Sequence, residues 1–129
     1  MSKLDDFLNL ADVSDIKKKI KVNLGGKDFD LVIRPITEAE HTEFQRRSNV
    51  ISKNKISFDS GKYSNLVLEA CIVEPNFKDA EFLKKVGCVS ATEFLNKKFP
   101  AGVLSDIAQK IQELSGFESY DMEIENAKN

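Results

Sequence analysis

PAGVLSDIAQKIQELSGF, residues 100–117, has its apolar side chains spaced for one helix. At about 100° per residue, Val103, Leu104, Ile107, Ala108, Ile111 and Leu114 fall within one arc of roughly 140°. Ser105, Asp106, Gln109, Lys110, Gln112 and Glu113 face the other way. Both ends are marked: Pro100 suits a first turn, where its missing amide would have had no partner, and Gly116 suits the left-handed residue that closes a helix. Phe117 can then fold back over the last turn. The helix would be about 24 Å long, and other parts of the chain must cover its stripe.

Two short helices upstream are the first candidates for that cover. Residues 79–86 present Phe82, Leu83 and Val86 before Gly87, and a capping box of Ser90 and Glu93 opens a second helix with Phe94, Leu95 and Phe99. Glu74-Pro75-Asn76 breaks the chain ahead of them, with Phe77 tucked underneath. Residues 60–73 form a further helix that carries Tyr63, Leu66, Val67, Ala70 and Cys71 as one stripe and Leu68 and Ile72 on another side. A helix apolar on two sides is either buried centrally or keeps a face for a partner. Leu66, Val67, Phe94, Leu104, Ile107, Ile111, Leu114 and Phe117 are the candidate core.

Nearer the amino terminus the period changes to two. Ile20, Val22 and Leu24 alternate with Lys19, Lys21 and Asn23, and after Gly25-Gly26 the residues Phe29, Leu31 and Ile33 alternate with polar neighbours, a hairpin pattern. A lone hairpin is marginal in water, so its apolar face should lie on the helices. Thr37 and Glu40 form a capping box that opens a helix to about Ile51, and residues 52–62 read as a polar loop interrupted by Ile56 and Phe58. Leu4, Phe7, Leu8 and Leu10 have partly helical spacing. The expected organisation is therefore a mobile or helical segment over 1–16, a single α+β domain over 17–117, and a disordered acidic tail over 118–129. The fold class is α+β, mostly a bundle of about five helices with an N-terminal β-hairpin.

Composition bounds the function. The chain has 129 residues, 31% charged and 41% apolar, with nineteen basic against twenty-one acidic side chains and a net charge of -2. That balance removes the attraction on which nucleic-acid binding rests, so no nucleic-acid partner is expected. A helix-turn-helix reading of residues 79–99 fails similarly, since its second helix offers only Asn96, Lys97 and Lys98 beside its phenylalanines. No apolar run approaches the roughly 20 residues that cross a bilayer, and no membrane partner is expected. Cys71 and Cys88 sit among apolar residues and read as reduced, packed thiols. His41 is the sole histidine, which excludes a zinc site built from several imidazoles. Gly25-Gly26 lacks the Gly-Lys-Ser/Thr ending of a phosphate loop, and no nucleophile motif appears. The expectation is a non-enzyme with no cofactor, no metal and no small-molecule substrate.

The ordered residues Glu74-Pro75-Asn76-Phe77, Phe82-Leu83 with Gly87, Glu93-Phe94-Leu95, Pro100-Ala101-Gly102, Leu104, Ile107, Ile111 and Leu114-Ser115-Gly116-Phe117 resemble a known family. With the alternating segment before Arg34-Pro35-Ile36, they are similar to the XkdN-like tail assembly chaperones of bacteriophages and phage-derived contractile particles over about residues 20–117. Phe99 and the polar stretch near residues 53–62 depart from the pattern. The resemblance implies a chaperone that binds the tape-measure protein, keeps it soluble and helps recruit tail-tube subunits, working in the host cytoplasm and leaving before the particle is mature. Its alternative is a structural subunit retained in the tail or particle, and homo-oligomerisation stays open. The resemblance names no contact residues. From pattern alone, Leu4, Phe7, Leu8, Leu68 and Ile72 are the candidates for client contact.

Overall fold

The computed structural model describes residues 3–117; the acidic tail of 118–129 lies outside the described residues. The elements are β1 (Lys18–Leu24), β2 (Lys27–Ile33), α1 (Glu38–Ser48), β3 (Asn49–Ser52), β4 (Lys55–Phe58), α2 (Ser60–Cys71), β5 (Ile72–Glu74), α3 (Ala80–Val86), α4 (Ala91–Lys98) and α5 (Ala101–Leu114). Among the described residues the architecture is α+β, with five α-helices and an N-terminal antiparallel hairpin.

β1 and β2 pair Ile20 with Leu31 and Val22 with Phe29, which puts their apolar side chains on one face. Gly25 and Gly26 turn between them at φ of +62° and +84°, a geometry that two consecutive glycines adopt without strain. β5 extends the sheet to the order β1-β2-β5, pairing antiparallel with β2 through Ile33 and Ile72. Its residues were expected to finish the preceding helix. Ile72 and Val73 are β-branched, and the residue before Pro75 is pushed toward extended backbone, so the chain leaves the helix at Cys71.

α2 sits in the middle, packed against α1, α4, α5 and β5. This explains its two apolar sides. Val67, Leu68, Cys71 and the following Ile72 are 0%, 3%, 0% and 5% exposed. Leu68 and Ile72 are thus core residues, and the partner face suggested for them does not exist in this fold. α5 contributes Leu104, Ile107 and Ile111 to the same core, with Leu66, Phe94 and Leu114 half-buried against it. Its C-terminal turn is as expected: the amide of Gly116 donates to Glu113 and that of Phe117 to Gln112, each at 3.0 Å, with Gly116 at φ +93°. Phe117 itself is 41% exposed and is not a core residue; its ring sits 5.1 Å from that of His41.

Two other expectations change. α1 stops at Ser48 instead of near Ile51, and the supposed polar loop is a second hairpin, β3–β4, turning through Lys53 and Asn54 at φ +49° and +65°. The β-branched Val50 and Ile51 favour strand over helix once a facing strand is available, and the Asp59 amide closes the hairpin base on the Ser48 carbonyl at 2.7 Å. Among its described residues the N-terminal segment forms short 3-10 turns at Asp5–Phe7 and Val13–Asp15 and no α-helix. Too few residues propagate a helix there, and no packing face supports one.

Candidate functional site

The turn after β5 builds the site. The Phe77 amide donates to the Pro75 carbonyl at 3.0 Å, the Asp79 amide to the Asn76 carbonyl at 3.1 Å, and the Lys78 amide to the Asn76 Oδ1 at 3.1 Å. These bonds direct Phe77 toward α3 and α4. Asp79 caps α3 by accepting from the Phe82 amide at 3.0 Å, and Ser90 caps α4 by accepting from the Glu93 amide at 3.1 Å. The Glu93 carboxylate accepts from the amide of Val89, one residue earlier than in a reciprocal box.

So placed, four phenylalanines form one cluster. Phe77 stacks on Phe94 at 5.3 Å between ring centroids, Phe82 meets Phe94 edge-on at 4.9 Å, and Phe99 closes on Phe77 at 6.0 Å. The first hairpin supplies a facing wall of Leu24, Phe29 and Leu31. Between the walls lies an open, apolar groove of about 480 Å³. Its polar edge is Lys98 and Asp79, and Lys27 sits 5.3 Å over the Phe29 ring. Apart from Asn76, Asp79 and Lys98 the groove's lining is apolar.

The titratable groups elsewhere tie elements together. Arg34, at the end of β2, makes a bidentate pair with Glu40 of α1 at 2.8 and 2.7 Å, and Thr37 adds its amide to the same carboxylate at 3.1 Å. The guanidinium bonds hold the Glu40 carboxyl well down, at about 2. His41 bonds through Nδ1 to the Tyr63 hydroxyl at 2.5 Å, joining α1 to α2, and burial pushes the Tyr63 phenol up. Burial likewise pushes the Cys71 thiol up to about 12, while Cys71 and Cys88 are both unpaired and buried. Among the described residues no group of three His, Cys, Asp or Glu gathers as a metal site, and no helix is long and apolar enough to cross a membrane.

Of the residues suggested for client contact, Leu4, Phe7 and Leu8 are 79%, 65% and 75% exposed, away from the buried Leu68 and Ile72. The groove was missed as a site. Its phenylalanines carry ordinary core spacing, and Phe29 on the facing hairpin is 40% exposed.

No curated protein matches the chain. The crystal structure of the protein yqbn is similar in fold, with a TM-score of 0.58 and 16% identity over 79% of this chain and 87% of that one. The profile of the phage XkdN-like tail assembly chaperone proteins matches residues 4–128. With a match over nearly its whole length, the chain belongs to the XkdN-like phage tail assembly chaperone family.

Proposed function

We propose that this protein binds the tape-measure protein of a phage or phage-like contractile tail, keeps that client soluble, and helps bring tail-tube subunits to it. The family supplies the setting of tail assembly. The observation that carries the finer reading is the aromatic groove between the first hairpin and α3–α4. A shallow apolar groove takes one face of an amphipathic helix, anchored by a few side chains at helical spacing. A long client presents many such segments, and repeated weak engagement along it covers its apolar surface without a deep pocket. The exposed Leu4, Phe7 and Leu8 are a second candidate contact on the same molecule. The protein acts in the host cytoplasm, performs no chemistry, and departs before the particle is mature.

Co-expression tests this. The wild-type chain should keep a long helical tail protein in the soluble fraction as a complex of many copies per client. The double variant Phe29→Ser, Phe82→Ser, which alters only partly exposed groove residues, should fold with an unchanged helical circular dichroism spectrum and lose that capacity. Undiminished solubilisation by the variant would remove the groove from the reading. Recovery of the protein in stoichiometric amounts from purified mature tails would replace the chaperone by a retained subunit.

A further inference from the structure

The outer edge of β4 is an unfilled place in a sheet. The Asp59 amide bonds to the Ser48 carbonyl, and the register continues with Asn49 opposite Phe58, Val50 opposite Ser57, Ile51 opposite Ile56 and Ser52 opposite Lys55. Bonded and non-bonded pairs alternate along an antiparallel ladder, so the amides and carbonyls of Ile56 and Phe58 point away from β3. Among the described residues, no backbone bond from another element reaches these groups. The matching edge of β3 is partly taken, since the Asn49 amide donates to the Arg46 carbonyl at the end of α1. An open edge is a template for another strand, and β4 offers the free one.

The side chains say what fits there. Ile51, Ile56 and Phe58 share one face of the hairpin and are 77%, 72% and 51% exposed. On the other face Lys55 stands at the start of β4, Ser57 in its middle and Asp59 just past its end, all exposed. Lys55 has no carboxylate partner among the described residues, and Asp59 accepts from the Lys62 amide at 3.0 Å without an ion pair. A strand with a free cation at one end and an anion at the other is complementary to itself run antiparallel. Ser60 and Gly61, which follow, are small and exposed where the turn of such a neighbour would pass.

We propose that β4 pairs antiparallel with β4 of a second copy of this chain about a two-fold axis at Ser57, setting Ile56 opposite Phe58 of the second copy and Lys55 opposite Asp59 of the second copy. In this register the outward groups of Ile56 and Phe58 exchange both backbone bonds on each side of the axis, and the two hairpins become one continuous sheet. Ile51, Ile56 and Phe58 of both copies then form a single apolar face, while Lys55 meets Asp59 at each end of the other face. A slip of one residue sets bonding groups against non-bonding ones and puts the two apolar faces on opposite sides. A slip of two sets Phe58 against the turn residue Asn54, or Ile56 against Ser60 in α2. The hydrophobic core of each copy contains no β3 or β4 residue, so dilution yields folded monomers. This inference is independent of the groove and of the client it binds.

Sedimentation velocity on the full chain from micromolar to millimolar concentration tests it, and the wild type should show a reversible monomer–dimer equilibrium. Ile56→Pro removes an outward amide and leaves the bonds to β3 in place, so it should keep the helical circular dichroism spectrum and raise the dimer dissociation constant at least about tenfold. Lys55→Asp and Asp59→Lys chains should each stay monomeric alone and dimerise when mixed, because only the mixed pair sets unlike charges opposite each other. Ser57→Cys should form a disulfide between copies under mild oxidation, since the two residues meet at the axis as a non-bonded pair with Cα atoms about 4.5 Å apart. The wild type, whose Cys71 and Cys88 are buried, should not. A wild type that is monomeric at millimolar concentration, a dimer indifferent to Ile56→Pro, no mixed dimer, or no Ser57→Cys cross-link would each overturn the pairing. A monomer whose Ile56 and Phe58 amides are nonetheless protected from exchange would assign the edge to another segment of the same chain and overturn the second copy.

Discussion

The two hairpins of this protein are locally alike and end in opposite environments. Each turns through two consecutive residues of positive φ, Gly25-Gly26 in one and Lys53-Asn54 in the other, and each pairs its strands antiparallel in a simple register. The first has seven-residue strands, gains β5 along one edge and lays Ile20, Val22, Leu31 and Ile33 on the helices, all at 7% exposure or less. The second has four-residue strands, all of whose residues are exposed. Turn chemistry and alternation make a hairpin, but only a covering layer makes it part of a core.

The sharpest way to break that contrast is to place a charge in each hairpin. Ile33→Asp should unfold the protein, since a carboxylate would lie unpaired at a site with 0% exposure at a cost of several kcal/mol. Ile56→Asp, at 72% exposure, should change global stability by less than about 0.5 kcal/mol. Chemical denaturation of the two variants measures both, and equal losses would mean that the second hairpin also belongs to the cooperative core.

A smaller effect is expected where the first hairpin is tied to α1. Glu40→Gln removes the charge that Arg34 grips and should cost about 2 kcal/mol at neutral pH. The Glu40 carboxyl titrates at about 2 in the folded chain instead of its ordinary 4.5, chiefly through its bonds to Arg34. A depressed folded value means that the contribution is complete above 4.5 and is lost as pH falls from there toward 2. Denaturation midpoints of wild type and variant should therefore converge across that acid window and stay parallel above it.

The smallest effect concerns the base of the second hairpin. Ser48 is 0% exposed and its hydroxyl has no hydrogen-bond partner among the described residues, so the side chain carries an uncompensated desolvation cost. Ser48→Ala should raise stability by up to about 1 kcal/mol, read as a higher thermal midpoint, without changing exchange at the hairpin tip. A drop in stability would show that the hydroxyl is satisfied in solution.

Legibility in the sequence followed how local the governing interaction was. The Thr37–Glu40 capping box, the Gly25-Gly26 turn and the Gly116 helix end were readable because each is decided within a few residues, and all three have the expected geometry. β5 and β3–β4 were not readable as strands. Ile72–Glu74 becomes a strand because β2 offers it a ladder, and residues 52–62 read as a loop because Lys53-Asn54 is a weaker turn signal than Asn-Gly. The groove was hidden for a related reason. Phe77, Phe82, Phe94 and Phe99 have the spacing of core residues, and whether such rings face a covering layer or open solvent depends on the reach of a hairpin some fifty residues earlier.

By itself, then, the amino-acid order determined the α+β class, the helical caps, the Ile107–Ile111 stripe of α5 and the kinship with tail assembly chaperones, because these reside in short-range spacing and ordered motifs. The assembled fold alone decided that α2 is the central helix, that Leu68 and Ile72 are buried while Phe117 is not, and that an aromatic groove stays open. Burial is a property of what stands opposite a side chain, and that neighbour is chosen by the packing of distant segments.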